Sequence, residues 1–462
     1  MSEEKITISR SEYERLLSIA SRISELEALL ERQGEEIALL KNGRKSGTSS
    51  TPPSHDIGRS NVHSLREKSH RKSGGQFGHK GNSLQLSATP DQIIDHASDY
   101  CNHCGSDLRQ IDSTLSSRRQ VVDLPAVYPA VIEHRSYTRT CPHCHYVNQC
   151  SFPTGVHSPV QYGPNVEGMA AYMSVYQAIP YRRMKHMFRD MFGLHLSEGS
   201  IDNLLEKTGR KATLAYDVIQ AGISRSGVVG SDETGCRVNG KKYWFHVWQS
   251  PTLTFIVSVA SRGFKVIGKY FTDGFPHAVY VSDCWAAQLK TKAKAHQLCL
   301  AHLLRETASF VESLQSQWSA QMKDVLQRAI KIKGNLGQGD YLKPPEEVIE
   351  INRELDELLE VDYSNFHKRE QAFIKRLIKH RQSIFTFLTY PDVPPDNNAS
   401  ERAIRNVKTK TKVSGQFRNA EGKGADRYAK IRSVIDTAIK NGQDVYAALI
   451  ALAKCPKTVE TS

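Results

Sequence analysis

Three acidic residues stand where an apolar stretch ends or a basic helix begins, and they are the first candidates for chemistry. Asp232 lies in Gly230-Ser231-Asp232-Glu233-Thr234-Gly235, the turn out of the apolar run Gly227-Val228-Val229. Asp283 closes the β-branched and aromatic run Ala278-Val279-Tyr280-Val281-Ser282, and Glu401 opens a basic helix in Asp396-Asn397-Asn398-Ala399-Ser400-Glu401. A carboxylate at the end of a buried strand is costly to desolvate and takes a partner such as a metal ion. Carboxylate oxygens are hard ligands suited to Mg²⁺ or Mn²⁺. Two such ions activate the attacking oxygen and stabilise the leaving oxygen of a phosphodiester. In that arrangement Asp232 bridges the ions, Asp283 holds one and Glu401 the other. Arg405 and Lys408 share the helix face of Glu401, with Arg402 beside it, and cations there suit a scissile phosphate. Asn398 reads as the N-cap of this helix, with Asp396 before it as a capping or supporting residue. The plainer readings are a turn or cap for each aspartate and a surface ion pair for Glu401 and Arg405, so the carboxylates carry the argument only together.

A second chemistry is written in cysteine. Cys101-Asn102-His103-Cys104 and Cys141-Pro142-His143-Cys144 are two C-x2-C pairs, each able to offer two thiolates to one tetrahedral ion. Four thiolates make a closed, structural Zn²⁺ site, and residues 88–153 read as a zinc-ribbon module. Strand-like runs lie between the pairs, at Arg119-Gln120-Val121-Val122-Asp123-Leu124 and Val131-Ile132-Glu133-His134. His103, His143, His145 and Cys150 are read as bystanders. Four buried free thiols are the rival reading, and they do not predict paired spacing. Cys299-Leu300-Ala301-His302 resembles half a metal site, but without a second half it is read as structural.

The elements that must position the carboxylates follow. Residues 223–312 alternate strand and helix signals: Val228-Val229-Gly230, then Tyr243–Trp248 and Thr254–Val259 as antiparallel strands with an Asn239-Gly240 hairpin turn. A helix over 262–270, a strand at Val279-Tyr280-Val281, a short strand at Gln297–Leu300 and a helix over 301–310 complete the pattern, which suggests the mixed sheet of a ribonuclease-H-like fold. Residues 313–394 are charged and helical, an all-helical insertion ahead of the Glu401 segment at 395–440, and 441–462 form a C-terminal helix and tail. Upstream, residues 160–222 are helical, with breaks at Pro180 and Gly193 and a cap at Ser197. The helix carrying Arg182 and Arg183 and its successor form either a DNA-contacting helix-turn-helix or a packing unit. Residues 9–43 carry an a/d seam of Leu16, Ile19, Ile23, Leu26, Leu30, Gln33, Ile37 and Leu40. That is a coiled coil and so self-association, or else an amphipathic helix laid on the chain's own body. Between seam and module, residues 44–87 are a basic flexible linker. Its Gly74-Gly75-Gln76-Phe77-Gly78-His79-Lys80-Gly81 stretch would let a backbone, with Lys80, approach a phosphate.

Composition bounds the rest. The chain is long enough for two to four domains. A net charge of +13 and a pI of about 9.2 favour a polyanionic partner, most simply nucleic acid. No apolar run reaches membrane-spanning length, and the charged N-terminus has no apolar signal region. Nine cysteines without a secretion signal argue against a disulfide framework.

Taken together, the motifs resemble the insertion-sequence-66 family of DDE transposases over nearly the full length. The resemblance rests on the N-terminal zipper, Ser49-Ser50-Thr51-Pro52-Pro53-Ser54, the glycine-rich 74–81 stretch and the four-cysteine finger. It also rests on Ser231-Asp232-Glu233-Thr234, Val281-Ser282-Asp283, His302-Leu303-Leu304-Arg305 and Asp396-Asn397-Asn398-Ala399-Ser400-Glu401-Arg402. Phe77 departs from the proline of the family pattern. The resemblance implies a bacterial, cytoplasmic, nucleoid-associated enzyme. Such an enzyme binds double-stranded element ends and target, cleaves strands with Mg²⁺ or Mn²⁺ and joins the 3′-hydroxyl to target DNA. Asp232, Asp283 and Glu401 would be its catalytic carboxylates, accessory proteins of the same element its partners. A non-catalytic DNA-binding regulator derived from such an enzyme is the alternative, and a structure-selective nuclease a third reading.

Overall fold

The structure, a computed structural model, describes residues 9–43, 78, 84–418 and 423–455. Lys80, the Ser49–Ser54 stretch and almost all of the expected basic linker lie outside the described residues, as does the tail from 456. The expected N-terminal helix is one continuous element, α1 (Arg10–Gly43). It passes alongside a later helix, yet Leu16, Ile19, Ile23, Leu26, Leu30 and Ile37 of its seam keep 44–67% of their surface exposed.

The cysteine module corrects the expected strands. The runs at 119–124 and 131–134 carry no strand, and Val121, Leu124 and Val131 stand more than 90% exposed. Each has the composition of a strand but no neighbouring run to pair with. The only ladder here among the described residues is β1 (Thr138–Thr140) against β2 (Val147–Gln149), which flanks the second cysteine pair.

The body of the chain begins with α2 (Pro164–Ala171), extended by a wide π turn at Tyr172–Tyr176. Then come α3 (Tyr181–Phe192), α4 (Glu198–Lys211) and α5 (Thr213–Ser224). Pro180 precedes α3, Gly193 ends it at a positive φ of 63°, and the Ser197 side chain accepts the Ser200 N–H to start α4, as the sequence indicates. The sheet follows: β3 (Val228–Val238), β4 (Lys241–Gln249), β5 (Thr254–Val259), then α6 (Phe264–Tyr270), β6 (Phe275–Ser282), α7 (Ala286–Leu289) and β7 (Ala293–Leu298). Its order is β5-β4-β3-β6-β7, antiparallel from β5 to β3 and parallel from β3 to β7. Asn239 and Gly240 both take positive φ, the two-residue hairpin turn that matches the twist of β3 and β4. One expectation shifts: Asp232 is not in a turn after a short strand but inside an eleven-residue β3, opposite Val247.

Beyond the sheet run α8 (Leu300–Leu314), α9 (Gln317–Asn335), α10 (Glu346–Leu359), α11 (Lys368–Lys379), α12 (Asn398–Ser414), α13 (Lys423–Lys440) and α14 (Val445–Lys454). Residues 313–394 are helical as expected, and their core is shared with the sheet: Met322, Leu326, Ile351, Phe373 and Leu377 pack with Val279, Val281 and Leu298. On the same sheet face, Cys236, Val238, Phe245 and Val247 pack under Ile404 and Val407 of α12, together with α2–α4, α13 and α14. The opposite face is aromatic, with Trp248, Phe255, Phe271, Phe275 and Tyr280 beneath α5 and α6. Both sheet edges are occupied. The outward N–H groups of Thr254 and Ile256 donate to Thr437 and Ser433 of α13, and Gln297 of β7 bonds the segment at Ile384–Phe387. An exposed edge would invite pairing with another chain.

The approach of α12 to β3 is so close that Gly230 is required. A Cβ there would stand 2.5 Å from Gln249 Nε2, 2.7 Å from Ser400 Oγ and 2.9 Å from Asn397 Oδ1. Gly230→Ala is expected to lower unfolding free energy by about 1–3 kcal/mol through overpacking. Urea unfolding checks it, and an unchanged midpoint would contradict the close docking.

Candidate active site

Strand geometry decides which acid faces where. Successive side chains of β3 alternate, so Asp232 shares the face of Gly230, onto which α12 docks, whereas Glu233 turns to the aromatic face. In the parallel register Gly230 lies opposite Val281. Two residues further along both chains, Asp283, just past β6, comes beside Asp232. Burial raises the Asp232 carboxyl to about 8, with the nearby Asp283 and Glu233 pushing the same way and Lys408 opposing.

Glu401 arrives on α12, whose start is pinned by Asn397. The Asn397 N–H reaches Cys299 Sγ at 3.2 Å, its Nδ2 donates to the Ser231 carbonyl at 2.6 Å, and its Oδ1 accepts from Ser400 Oγ at 2.6 Å. Asn397, rather than Asn398, therefore stands at the cap position. Asp396 supports it by accepting the backbone N–H and side-chain amide of Asn398. One turn in, Glu401 Oε1 lies 3.6 Å from Arg305 Nη1 and 3.8 Å from His302 Nδ1, and its Oε2 3.8 Å from Arg405 Nη2. His302 Nδ1 is also 3.0 Å from Asp283 Oδ1, so this imidazole links Asp283 to Glu401. Burial works against a charged His302, but Asp283 and Cys299 outweigh it and hold its pKa up at about 11. Asp283, Cys299 and His302 bring ligand-type atoms within 4.8 Å of one another. Arg305 Nη1 lies 3.3 Å from His302 Nε2, on the other side of the ring. The C-x2-H turn, read as structural from the sequence, thus brings Cys299 and His302 to Asp283.

The site has the marks of a place for a cation. Asp283 Oδ1 and Glu401 Oε1 are buried yet accept no hydrogen bond of good geometry. Asp232 and Asp283 stand side by side and, with Glu401, offer hard oxygens of the kind Mg²⁺ or Mn²⁺ takes, while Asp283 also lies beside Cys299 and His302. Arg402, Arg405 and Lys408 are exposed along α12. The expected basic run beyond them divides: Lys410 is buried on the Ser174 carbonyl, Arg427 on Tyr181 and Asp202, and Arg432 on Asp436. Those three are core cations. Arg182 and Arg183 are exposed on the first turn of α3, while Met184 and Phe188 of the same helix are fully buried, so the helix pair is at least a packing unit.

The two cysteine pairs form matching turns. Cys101 N–H bonds the Ser106 carbonyl and Gly105 N–H the Cys101 carbonyl; Cys141 N–H bonds the Tyr146 carbonyl and His145 N–H the Cys141 carbonyl. Gly105 and His145 both take positive φ. Hydrogen bonds, first from the Ser106 side chain, lower the Cys104 thiol to about 7.

Several site residues were not singled out from the sequence. Glu233 is bound by Arg262 at 2.6 Å and Gln288 at 2.9 Å, and the Arg262 guanidinium lies 3.9 Å over the Trp285 ring. His302 and Arg305 were legible only as part of a motif, and Asn397 only as a neighbour of Glu401. The signal for Glu233 was its adjacency to Asp232 in a strand, which sends the two acids to opposite faces.

The chain thus combines a mixed sheet carrying acids on its central strands with a two-knuckle cysteine module ahead of it. The family model described as Transposase IS66 family matches residues 159–425, and that of the zinc-finger binding domain of transposase IS66 matches residues 98–145. The chain belongs to the IS66 transposase family. A comparison with curated proteins finds no match. Among the described residues no helix is long and apolar enough to cross a membrane.

The raised Asp232 carboxyl makes a signed prediction. An acid whose folded pKa lies above its unfolded value of about 3.9 contributes stability below that pH and loses it as pH rises through the folded value. In EDTA, wild type should therefore lose stability relative to Asp232→Asn between about pH 4 and 8, at up to about 1.4 kcal/mol per pH unit and so at most about 5 kcal/mol in all. Magnesium should restore wild type and not the variant. Parallel denaturant curves of the two proteins, with no divergence across that range, would show that Asp232 is not charge-frustrated.

Proposed function

We propose that the chain is a DDE-type DNA transposase on a ribonuclease-H-like core, which cuts DNA at the ends of its element and joins the 3′-hydroxyl to target DNA. The observation that supports this most directly is the convergence of Asp232, Asp283 and Glu401, with buried carboxylate oxygens lacking hydrogen bonds, beside exposed Arg402, Arg405 and Lys408. The strand order β5-β4-β3-β6-β7, antiparallel then parallel, supports the ribonuclease-H-like assignment.

Mg²⁺ or Mn²⁺ held by the three carboxylates would activate the attacking oxygen and stabilise the leaving one. The chain's own groups prepare the ground. Asp232 gives up the proton that burial and Asp283 hold on it. His302 orients Asp283, and Arg305 and Arg405 flank the two oxygens of Glu401. Arg402, Arg405 and Lys408 take the phosphates of double-stranded DNA, with Arg182, Arg183 and the linker's Lys80 adding contacts to the backbone. Cys101, Cys104, Cys141 and Cys144 would bind Zn²⁺, drawing the two knuckles together and ordering the segment between them. The exposed seam of α1 suits a homo-oligomeric coiled coil, which would bring two element ends into one assembly. Accessory proteins of the element would join that assembly, and the reaction would take place in the cytoplasm, at the nucleoid.

A regulator without catalysis would need none of the three acids, and their convergence speaks against it. Asp283→Asn and Glu401→Gln are expected to lower joined products by about 1,000-fold, the equivalent of about 4 kcal/mol, with binding of element-end DNA nearly unchanged. An in vitro cleavage and joining assay with magnesium reads this. Strand transfer surviving in Asp283→Asn would refute the assignment, and cleavage without joined products would favour a nuclease. Cys141→Ser should lose bound zinc and weaken DNA binding, measured by metal content and electrophoretic shift; full zinc retention would exclude a four-thiolate site.

A further inference from the structure

One costly group has no part in the chemistry above. Glu233 is buried, its side chain 6% exposed, beside two other acids whose charge it can only raise in energy. It points away from Asp232, toward the aromatic face, and its oxygens accept from Arg262 Nε at 2.8 Å and from Gln288 Nε2 at 2.9 Å. Arg262 is thereby fixed between two indoles, 3.9 Å over Trp285 and 4.9 Å from Trp244. Trp285 is 40% exposed, and no other aromatic ring packs on it among the described residues. It also lines a cleft with Asp232, Glu233, Arg262 and Gln288. Only Cys284 stands between it and Asp283 in the chain, a reach of at most about 7 Å, on the scale of one nucleotide.

We propose that Trp285, backed by Arg262 and Glu233, is a stacking platform for an unpaired nucleobase of the DNA strand next to the scissile phosphate. The proposal rests on the transposase reading for the position of that phosphate. A large indole held still by a guanidinium offers a π-face to any base, and the guanidinium attracts the phosphate that the base carries. Enzymes that extrude a base from a duplex spend unstacking energy, which a waiting aromatic surface returns. Arg262 and Glu233 act through Trp285 and are positioning residues. The buried glutamate then has a function: without its bonds Arg262 is free to leave the ring.

The test uses the full chain and element-end duplexes carrying 2-aminopurine at the nucleotides flanking the cut. Wild type is expected to change the probe's fluorescence at one flanking position. Trp285→Ala should abolish that change and lower cleavage about tenfold, and Trp285→Phe should keep most of both. A mismatch opposite the flanking base lowers the cost of extrusion and should return cleavage by Trp285→Ala toward wild type. Equal fluorescence changes for wild type and Trp285→Ala, or no rescue by the mismatch, would overturn the platform. The two readings separate. A Trp285-dependent signal without any cleavage by wild type sustains the platform and sinks the catalytic reading. Normal cleavage by Trp285→Ala does the reverse.

Discussion

The site depends on one buried amide. Asn397, 1% exposed, is where three distant pieces of chain meet: the centre of β3 through the Ser231 carbonyl, the end of β7 through Cys299 Sγ, and the first turn of α12 through Ser400. Leaving a buried polar group unpaired costs about 1–3 kcal/mol. Glu401 follows one helical turn after Asn397, so its distance from the aspartates is set by the amide rather than by its own contacts. Gly230 is the complement of this arrangement, since any side chain there would occupy the space taken by Asn397 and Ser400. Cys299 belongs to the same joint: its N–H bonds the Ser282 carbonyl beside Asp283, and Leu300 N–H bonds the Pro395 carbonyl.

What the amide holds together, charge pushes apart. Asp232 and Asp283 are neighbours in a half-buried place, and Asp232 accordingly keeps its proton to about 8. His302, Arg305, Arg405 and Lys408 offset part of the repulsion without filling it, because Asp283 Oδ1 and Glu401 Oε1 are left without hydrogen bonds. Such an arrangement persists only where the surroundings over-determine it. Here they do: two large apolar cores lie on one sheet face, a run of packed aromatics on the other, and both edges are covered by side-chain hydrogen bonds.

The local signals were legible. The Asn239-Gly240 hairpin, the breaks at Pro180 and Gly193, the Ser197 cap and the paired cysteines each act within a few residues, where composition alone decides. Gly230–Gly235 misled because its glycines and acids read as a turn, whereas pairing with Tyr243–Gln249 carries β3 straight through it. That pairing is a long-range fact. So is the docking of α12 on β3, which no local pattern around Asn397 announces. The runs at 119–124 and 131–134 failed the opposite way, with strand composition and no partner. The paired knuckles at either end of that segment are both formed, because their turns close within a few residues.

Net positive charge was a sound guide to the partner and a poor guide to the residues. Of the cations after Glu401, Lys410, Arg427 and Arg432 are spent inside the protein. Arg427 is the most informative, because it bonds Tyr181 at the start of α3 and Asp202 in α4, and its stem would collide with any Cβ at Gly209. It therefore locks α13 to the helix pair, while α12 and α13 share the core that contains Ile404, Val407, Tyr428 and Ile431. The exposed Arg182 and Arg183 sit next to Tyr181 on that locked turn. Their position relative to Arg402, Arg405 and Lys408 is thus set by buried packing. The helix pair is in this way a packing unit, and the buried Arg427 is what gives its outer arginines a defined position.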